Sequence, residues 1–205
     1  MSYFNTFLLT VLLVINCNSN KIDLIVENQT ISESEFKFKT ELVVNGINQP
    51  WGMAFLPDGS MLITEKKGEL IHFKNGEKIT ITSVPKSISQ GQGGLLDTQL
   101  DPNYKNNGWI YFSYASNLEN DGNGANTAIA RGKLTGTSLS NLEVLYKATP
   151  NTKKGQHFGS RIVFDKNGYL YFSIGDRGNR DELPQDITKD GGKIYRINSD
   201  GSIPE

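Results

Sequence analysis

Apolar residues in this chain fall in short runs of alternating exposure, and each run is broken by a turn. Tyr169–Ile174 (YLYFSI) shows the rule. Alternate side chains of an extended strand face opposite sides, so each set can meet a neighbouring sheet. Outside the first residues, no segment carries the 3.6-residue apolar period of a helix. The runs assemble into one unit written three times: a strand, a Pro/Asp/Asn/Gly turn, then a strand rich in aromatic or aliphatic residues. The copies are Trp51–Lys74, Gly94–Leu134 and Gly159–Asn198. With the turn as marker, 45 residues separate Asp58 from Asn103 and 64 separate Asn103 from Asn167. Polar insertions near 117–126 and 149–156 lengthen the second interval. The remaining strand of each unit is expected at Glu41–Val44, Lys78–Ser83 and Glu143–Lys147.

A repeat of this length, built of about four short antiparallel strands, is the signature of a β-propeller blade. A β-sandwich also alternates strands and turns, but the recurring order of turn, aromatic strand, glycine and strand favours the propeller. The fold class is therefore all-β, a partial propeller of about three blades over residues 38–205. Three blades do not close a ring, so the chain is read as the N-terminal part of a longer protein. Alone, with sheet faces and edges uncovered, it is expected to be inactive and poorly soluble.

The N-terminus changes the picture of where the protein resides. Phe4–Ile15 is an apolar run too short to span a bilayer comfortably, and it matches the hydrophobic region of a secretory signal, although no Lys or Arg precedes it. Cys17, the only cysteine, follows directly. Three readings stay open: a lipoprotein signal that places a lipid anchor on Cys17, an ordinary signal peptide that discards it, or neither. Residues 1–17 are read as a signal segment, and 18–37 as a polar linker with a short strand at Ile22–Val26. The first two readings imply export, to the periplasm or to an outer-membrane anchor. No internal disulfide is available, so packing and strand pairing must stabilise the domain. The formal charge is −1, which gives nucleic-acid binding no electrostatic support.

Candidate chemistry concentrates in residues 155–178, GQHFGSRIVFDKNGYLYFSIGDRG. His157 precedes one strand, Asn167-Gly168 makes a turn, and the second strand ends at Gly175-Asp176. An antiparallel hairpin brings its outer ends together, which places His157 beside Asp176. A carboxylate beside an imidazole fixes its tautomer and raises its basicity, as a general base requires. The residues also fit a structural histidine and an aspartate that caps its own turn. Gln92 lies in Gly91-Gln92-Gly93-Gly94, whose glycines permit close approach to a planar ligand or simply turn the chain. The loop lacks the Lys and Ser/Thr of a phosphate cradle. Arg161 and Arg177 are candidate site-lining cations, with Arg161 placed to pair with a carboxylate instead. Asp121, Asn123 and Asn126 lack the closing glutamate of a calcium loop, so no metal ligands are assigned. His72, mid-strand, is read as a surface or packing residue, and Trp51 and Trp109 as packing between blades.

These residues resemble the quinone-dependent soluble aldose (glucose/sorbosone) dehydrogenases from about Leu42 to Glu205. The resemblance rests on Pro50-Trp51-Gly52-Met53-Ala54-Phe55 with Pro57-Asp58-Gly59, Thr64-Glu65 with Gly68, and Gly91-Gln92-Gly93-Gly94-Leu95-Leu96 with Asp101-Pro102. It extends through His157 with Gly159-Ser160-Arg161, Ile174-Gly175-Asp176-Arg177-Gly178 and Gly191-Gly192-Lys193-Ile194. It implies a six-bladed propeller that oxidises an aldose at C1 to its lactone with pyrroloquinoline quinone and calcium, passing electrons to a periplasmic or membrane acceptor. It implies that His157 is the catalytic base, that Asp176 orients it, and that Gln92 lines the sugar and quinone site. Gln156 stands where the glucose enzyme of the family has an acidic residue in contact with the sugar. The quinone-clamping residues and the calcium site of the family lie in later blades. Animal relatives bind protein partners without the quinone, which leaves a non-catalytic propeller that binds a protein or glycan as the alternative.

Overall fold

The computed structural model describes residues 38–118 and 122–205. The segments read as signal and linker, the Ile22–Val26 strand and Asp121 lie outside these residues. Chain contacts separate Met1–Val43 from Val44–Glu205. The described part of the first, residues 38–43, has no regular secondary structure, and all strands belong to the second.

Strand–turn–strand units build three antiparallel sheets. The first is β1 (Pro50–Phe55), β2 (Met61–Glu65), β3 (Leu70–Lys74) and β4 (Glu77–Ile81), hydrogen-bonded in that order. The second is β5 (Leu95–Leu100), β6 (Trp109–Ser116), β7 (Asn126–Thr135) and β8 (Ser138–Lys147), again in sequence order. The third pairs β9 (Ile162–Phe164) with β10 (Leu170–Ile174) and β10 with β11 (Lys193–Ile197). The first strands β1, β5 and β9 neighbour one another in space, as the inner strands of successive propeller blades do.

The expectation for the remaining strands needs correction. Glu41–Val44 forms no strand. Lys78–Ile81 belongs to β4, which completes the first blade instead of opening the second, and Glu143–Lys147 is the end of β8, the fourth strand of the second. The physical reason is the dipeptide Asn75-Gly76. Both residues have positive φ, 53° and 81°, and they join Lys74 to its partner Glu77 in a two-residue hairpin. Such a loop folds the chain straight back onto the same sheet.

Two apolar layers hold the blades together. Ile110, Phe112 and Tyr114 of β6 pack with Leu62, Leu70 and Leu95 between the first and second sheets. Tyr111 of the same strand faces the other way, packing with Ile162, Leu170 and Phe172 of the third. Both faces of β6 are therefore buried, which is why its sequence WIYFSYAS reads as a continuous apolar run. Trp109 joins the second layer, with the Arg131 guanidinium 4.2 Å from its ring centre. The turn of the second copy contains a single helical turn, α1 (Tyr104–Asn107), which no apolar period announces; Gly108 ends it in the left-handed conformation.

Candidate active site

The third hairpin carries the site. Leu170 pairs with Phe164 and Phe172 with Ile162 across β9 and β10. The two runs stay together past the strand ends, where Ser160 N donates to Ser173 O at 2.8 Å. Gly175 then lies against the His157 backbone; a Cβ at that position would fall 2.0 Å from His157 O. Only glycine permits this approach, and it sets His157 level with Asp176.

The pair forms as the hairpin reading expected. His157 Nδ1 lies 2.6 Å from Asp176 Oδ1. The same oxygen accepts the Gly178 N–H at 2.7 Å. The hydrogen bond from His157, and then that from Gly178, holds the Asp176 carboxyl below its ordinary range. An ionised carboxylate only accepts, so Nδ1 must carry a proton, and in the neutral ring Nε2 then holds the lone pair. The His157 side chain is 48% exposed, and Nε2 has no protein partner among the described residues. This leaves a proton acceptor facing solvent with its tautomer fixed from behind.

Gln92 is brought to the same place from the second blade. Its Oε1 accepts the His157 backbone N–H at 2.8 Å, and its own N–H donates to Gly155 O at 2.6 Å. Gly91 makes this possible: its φ is +57°, and a Cβ would lie 2.1 Å from Gly155 O. Gln156, next to His157, is exposed.

Arg177 does not line the mouth, contrary to the sequence expectation. It is 1% exposed, and its guanidinium lies 3.5 Å from the centre of the Phe158 ring. Strand alternation gave no guide here, because Asp176 and Arg177 sit in a turn and Arg177 has a φ of +53°. Arg161 is the exposed cation, and it pairs with Asp97 Oδ1 at 3.0 Å above the Trp51 ring. Asp97 was not singled out from sequence. It is buried, and its Oδ2 accepts the Ile162 N–H at 3.0 Å, which pins the start of β9 to the second blade. This bond spans 65 residues, and no local pattern reports it.

His72 has a different setting. It is buried beside Ser60, with Nε2 2.8 Å from Ser60 Oγ. Ser60 Oγ donates to Asp58 Oδ1, so it accepts from the ring, and burial lowers the His72 pKa. It borders a cleft of about 810 Å³ with Asp58, Lys74 and Tyr104. Asn126 is also occupied, donating to Pro150 O at 2.8 Å. Among the described residues no three His, Cys, Asp or Glu side chains converge as a metal site.

Comparison with known proteins identifies the family. A family model described as Glucose / Sorbosone dehydrogenase matches residues 47–205. The chain is 36% identical over 170 residues to aldose sugar dehydrogenase YliI of Escherichia coli (strain K12), covering 80% of this chain and 45% of that protein. A crystal structure of the soluble aldose sugar dehydrogenase from Escherichia coli in the apo-form matches with a TM-score of 0.72 at 36% identity, over 78% of this chain and 46% of that one. The PQQ-bound form of the aldose sugar dehydrogenase from Streptomyces coelicolor matches with a TM-score of 0.66 at 31% identity, over 78% and 47%. The chain spans about half the length of the curated relatives it matches. The propeller topology, the hairpin that presents His157 and Asp176, and a family match across all three blades lead to one conclusion: the chain belongs to the glucose/sorbosone dehydrogenase family.

Proposed function

We propose that the full-length protein oxidises an aldose at C1 to its lactone, with pyrroloquinoline quinone as the hydride acceptor. One observation carries this reading. His157 Nδ1 donates to an ionised Asp176 at 2.6 Å, so the lone pair of Nε2 faces the open mouth. The anomeric hydroxyl of an aldose is a proton donor of the kind such a nitrogen accepts.

The residues present suit the reacting side of a quinone site. The mouth offers an imidazole acceptor and, from Gln92, an amide whose Nε2 has no partner among the described residues. The glycines of the Gly91–Gly94 loop pack against Gly155, Phe158 and Lys66, which fixes Gln92 at the mouth. When bound, the quinone supplies the two-electron acceptor for the hydride from C1. His157 takes the hydroxyl proton on Nε2. Asp176 stabilises the imidazolium that results and holds the ring in one orientation. A positioned base of this kind contributes about 10²–10⁴-fold. Gln92 and Gln156 flank the base and orient the sugar. Calcium is expected from the resemblance alone, and no step here depends on it. Export, with electrons leaving to a periplasmic or membrane acceptor and either a lipid on Cys17 or a cleaved signal peptide, completes the proposal.

The test is reconstitution of the full-length apo-protein with the quinone, with and without calcium, followed by addition of a panel of aldoses. Reduction of the bound quinone should accompany formation of lactone, seen by NMR. A protein that binds quinone but turns over no aldose would refute the reading. Failure to bind quinone at all would favour a propeller that binds a partner.

A further inference from the structure

Asp176 and Arg177 are consecutive but reach opposite sides of one loop. Asp176 meets the ring of His157 at the mouth. Arg177 passes inward beneath the chain that carries His157. Its Nη2 donates to Lys154 O at 2.8 Å and to Ala125 O at 3.3 Å, and its Nη1 donates to Gln156 O. Its guanidinium carbon lies over the Phe158 ring, 3.5 Å from the centre. The contacts thus fall on Gln156 and Phe158, the two residues on either side of His157.

The loop needs such a grip. No strand ladder covers residues 154–158, so their carbonyls require donors from elsewhere. His157 has a φ of +54°, in the left-handed region that a side chain with a Cβ rarely adopts. A conformation of that kind persists only where the surroundings over-determine it. Arg177 supplies several rigid donors in one plane, which a lysine cannot reproduce.

The charge, in turn, depends on the loop. Arg177 is almost fully buried and makes no ion pair among the described residues. A buried cation is costly unless its donors are satisfied; here the two Nη atoms meet backbone carbonyls and the guanidinium lies over an aromatic face, while Nε has no partner among the described residues. Burial draws its pKa down to about 10, opposed by the charge of Asp176, so it stays protonated at neutral pH.

We propose that Arg177 is a positioning residue for the catalytic base: together, Asp176 and Arg177 grip the His157 loop from both sides and fix the tautomer and aim of the ring. This rests on the reading of His157 as the base, and it adds a residue that never touches the sugar.

The test uses full-length protein loaded with quinone, in two variants, Arg177→Met and Arg177→Lys. The first removes the charge at similar length. The second keeps the charge but loses the planar fork. In Arg177→Met, kcat should fall about 30–100-fold with KM within about 3-fold, as expected when a reacting group is misplaced by about an ångström. Arg177→Lys should recover part of that loss. The readout that a plain stabilising role would not move is ¹⁵N NMR of histidine, assigned by difference against His157→Gln. The two ring nitrogens of His157 should be well separated in the wild type and averaged in Arg177→Met.

A folded variant with an unchanged His157 spectrum overturns the proposal, whatever its kcat. So does failure of both variants to fold, because the guanidinium would then serve the blade as a whole. If His157→Ala keeps full activity while Arg177→Met still averages the ring nitrogens, the catalytic reading fails and the grip on the loop stands.

Discussion

Asp176→Asn is the sharpest perturbation of the site, because it removes one charge and almost no volume. Asp176 Oδ1 receives two donors, His157 Nδ1 at 2.6 Å and Gly178 N at 2.7 Å. An asparagine oxygen in the same place can still accept from both, so the turn should survive. What is lost is the negative charge that stabilises the imidazolium formed when Nε2 takes a proton. A buried triad whose carboxylate is replaced by an amide slows by about 10⁴-fold. The His157 side chain is 48% exposed, so solvent shares in stabilising the imidazolium. The expected fall in kcat for aldose oxidation is therefore about 10²–10³-fold, with quinone binding unchanged. The pH dependence gives a second check. The Asp176 carboxyl is held below the ordinary carboxylate range. Its pairing therefore adds stability above that range, which is lost as the pH falls through the lower, folded value. The variant should lose this component of acid unfolding. Steady-state rates of reconstituted full-length protein across pH decide the matter. An Asp176→Asn rate within 3-fold of wild type at every pH would refute the role given to its charge.

Other variants probe the support of the site. Gly175→Ala places a Cβ 2.0 Å from His157 O; the clash should cost about 1–3 kcal/mol in urea unfolding and lower kcat at least 10-fold, and an unchanged midpoint would contradict the close approach. Asp97→Ala strands the Ile162 N–H and should cost about 1–3 kcal/mol, read by the same unfolding, whereas Arg161→Ala, removing only the 66% exposed partner, should cost less than about 1 kcal/mol. His72→Gln should leave kcat within 2-fold, since His72 is packed against Ser60 and takes no part in the mouth; a large kcat loss in a folded variant would place chemistry where none is assigned.

How much of this could be read from the chain depended on whether the signal was local. The His157–Asp176 pair follows from a hairpin whose turn, Asn167-Gly168, and flanking strands are written within twenty-two residues. Alternation could place those two ends because strands hold a period of two. It failed one residue later, at Arg177, where a turn with positive φ swings the side chain inward. A strand was expected at Glu41–Val44 as the remaining one of the first unit. The Asn75-Gly76 hairpin supplies the fourth strand of that sheet as β4 instead. Asp97 remained hidden because its partner Ile162 lies on another blade. Local rules thus found the His157–Asp176 pair, while the long-range contacts that hold it needed the fold.

The most direct measurement of the central claim is the single-turnover rate of quinone reduction by aldose in full-length His157→Ala. A fall of about 10²–10⁴-fold with quinone affinity retained is expected if Nε2 is the proton acceptor. A rate within a few-fold of wild type, in a protein that still binds quinone, would contradict it.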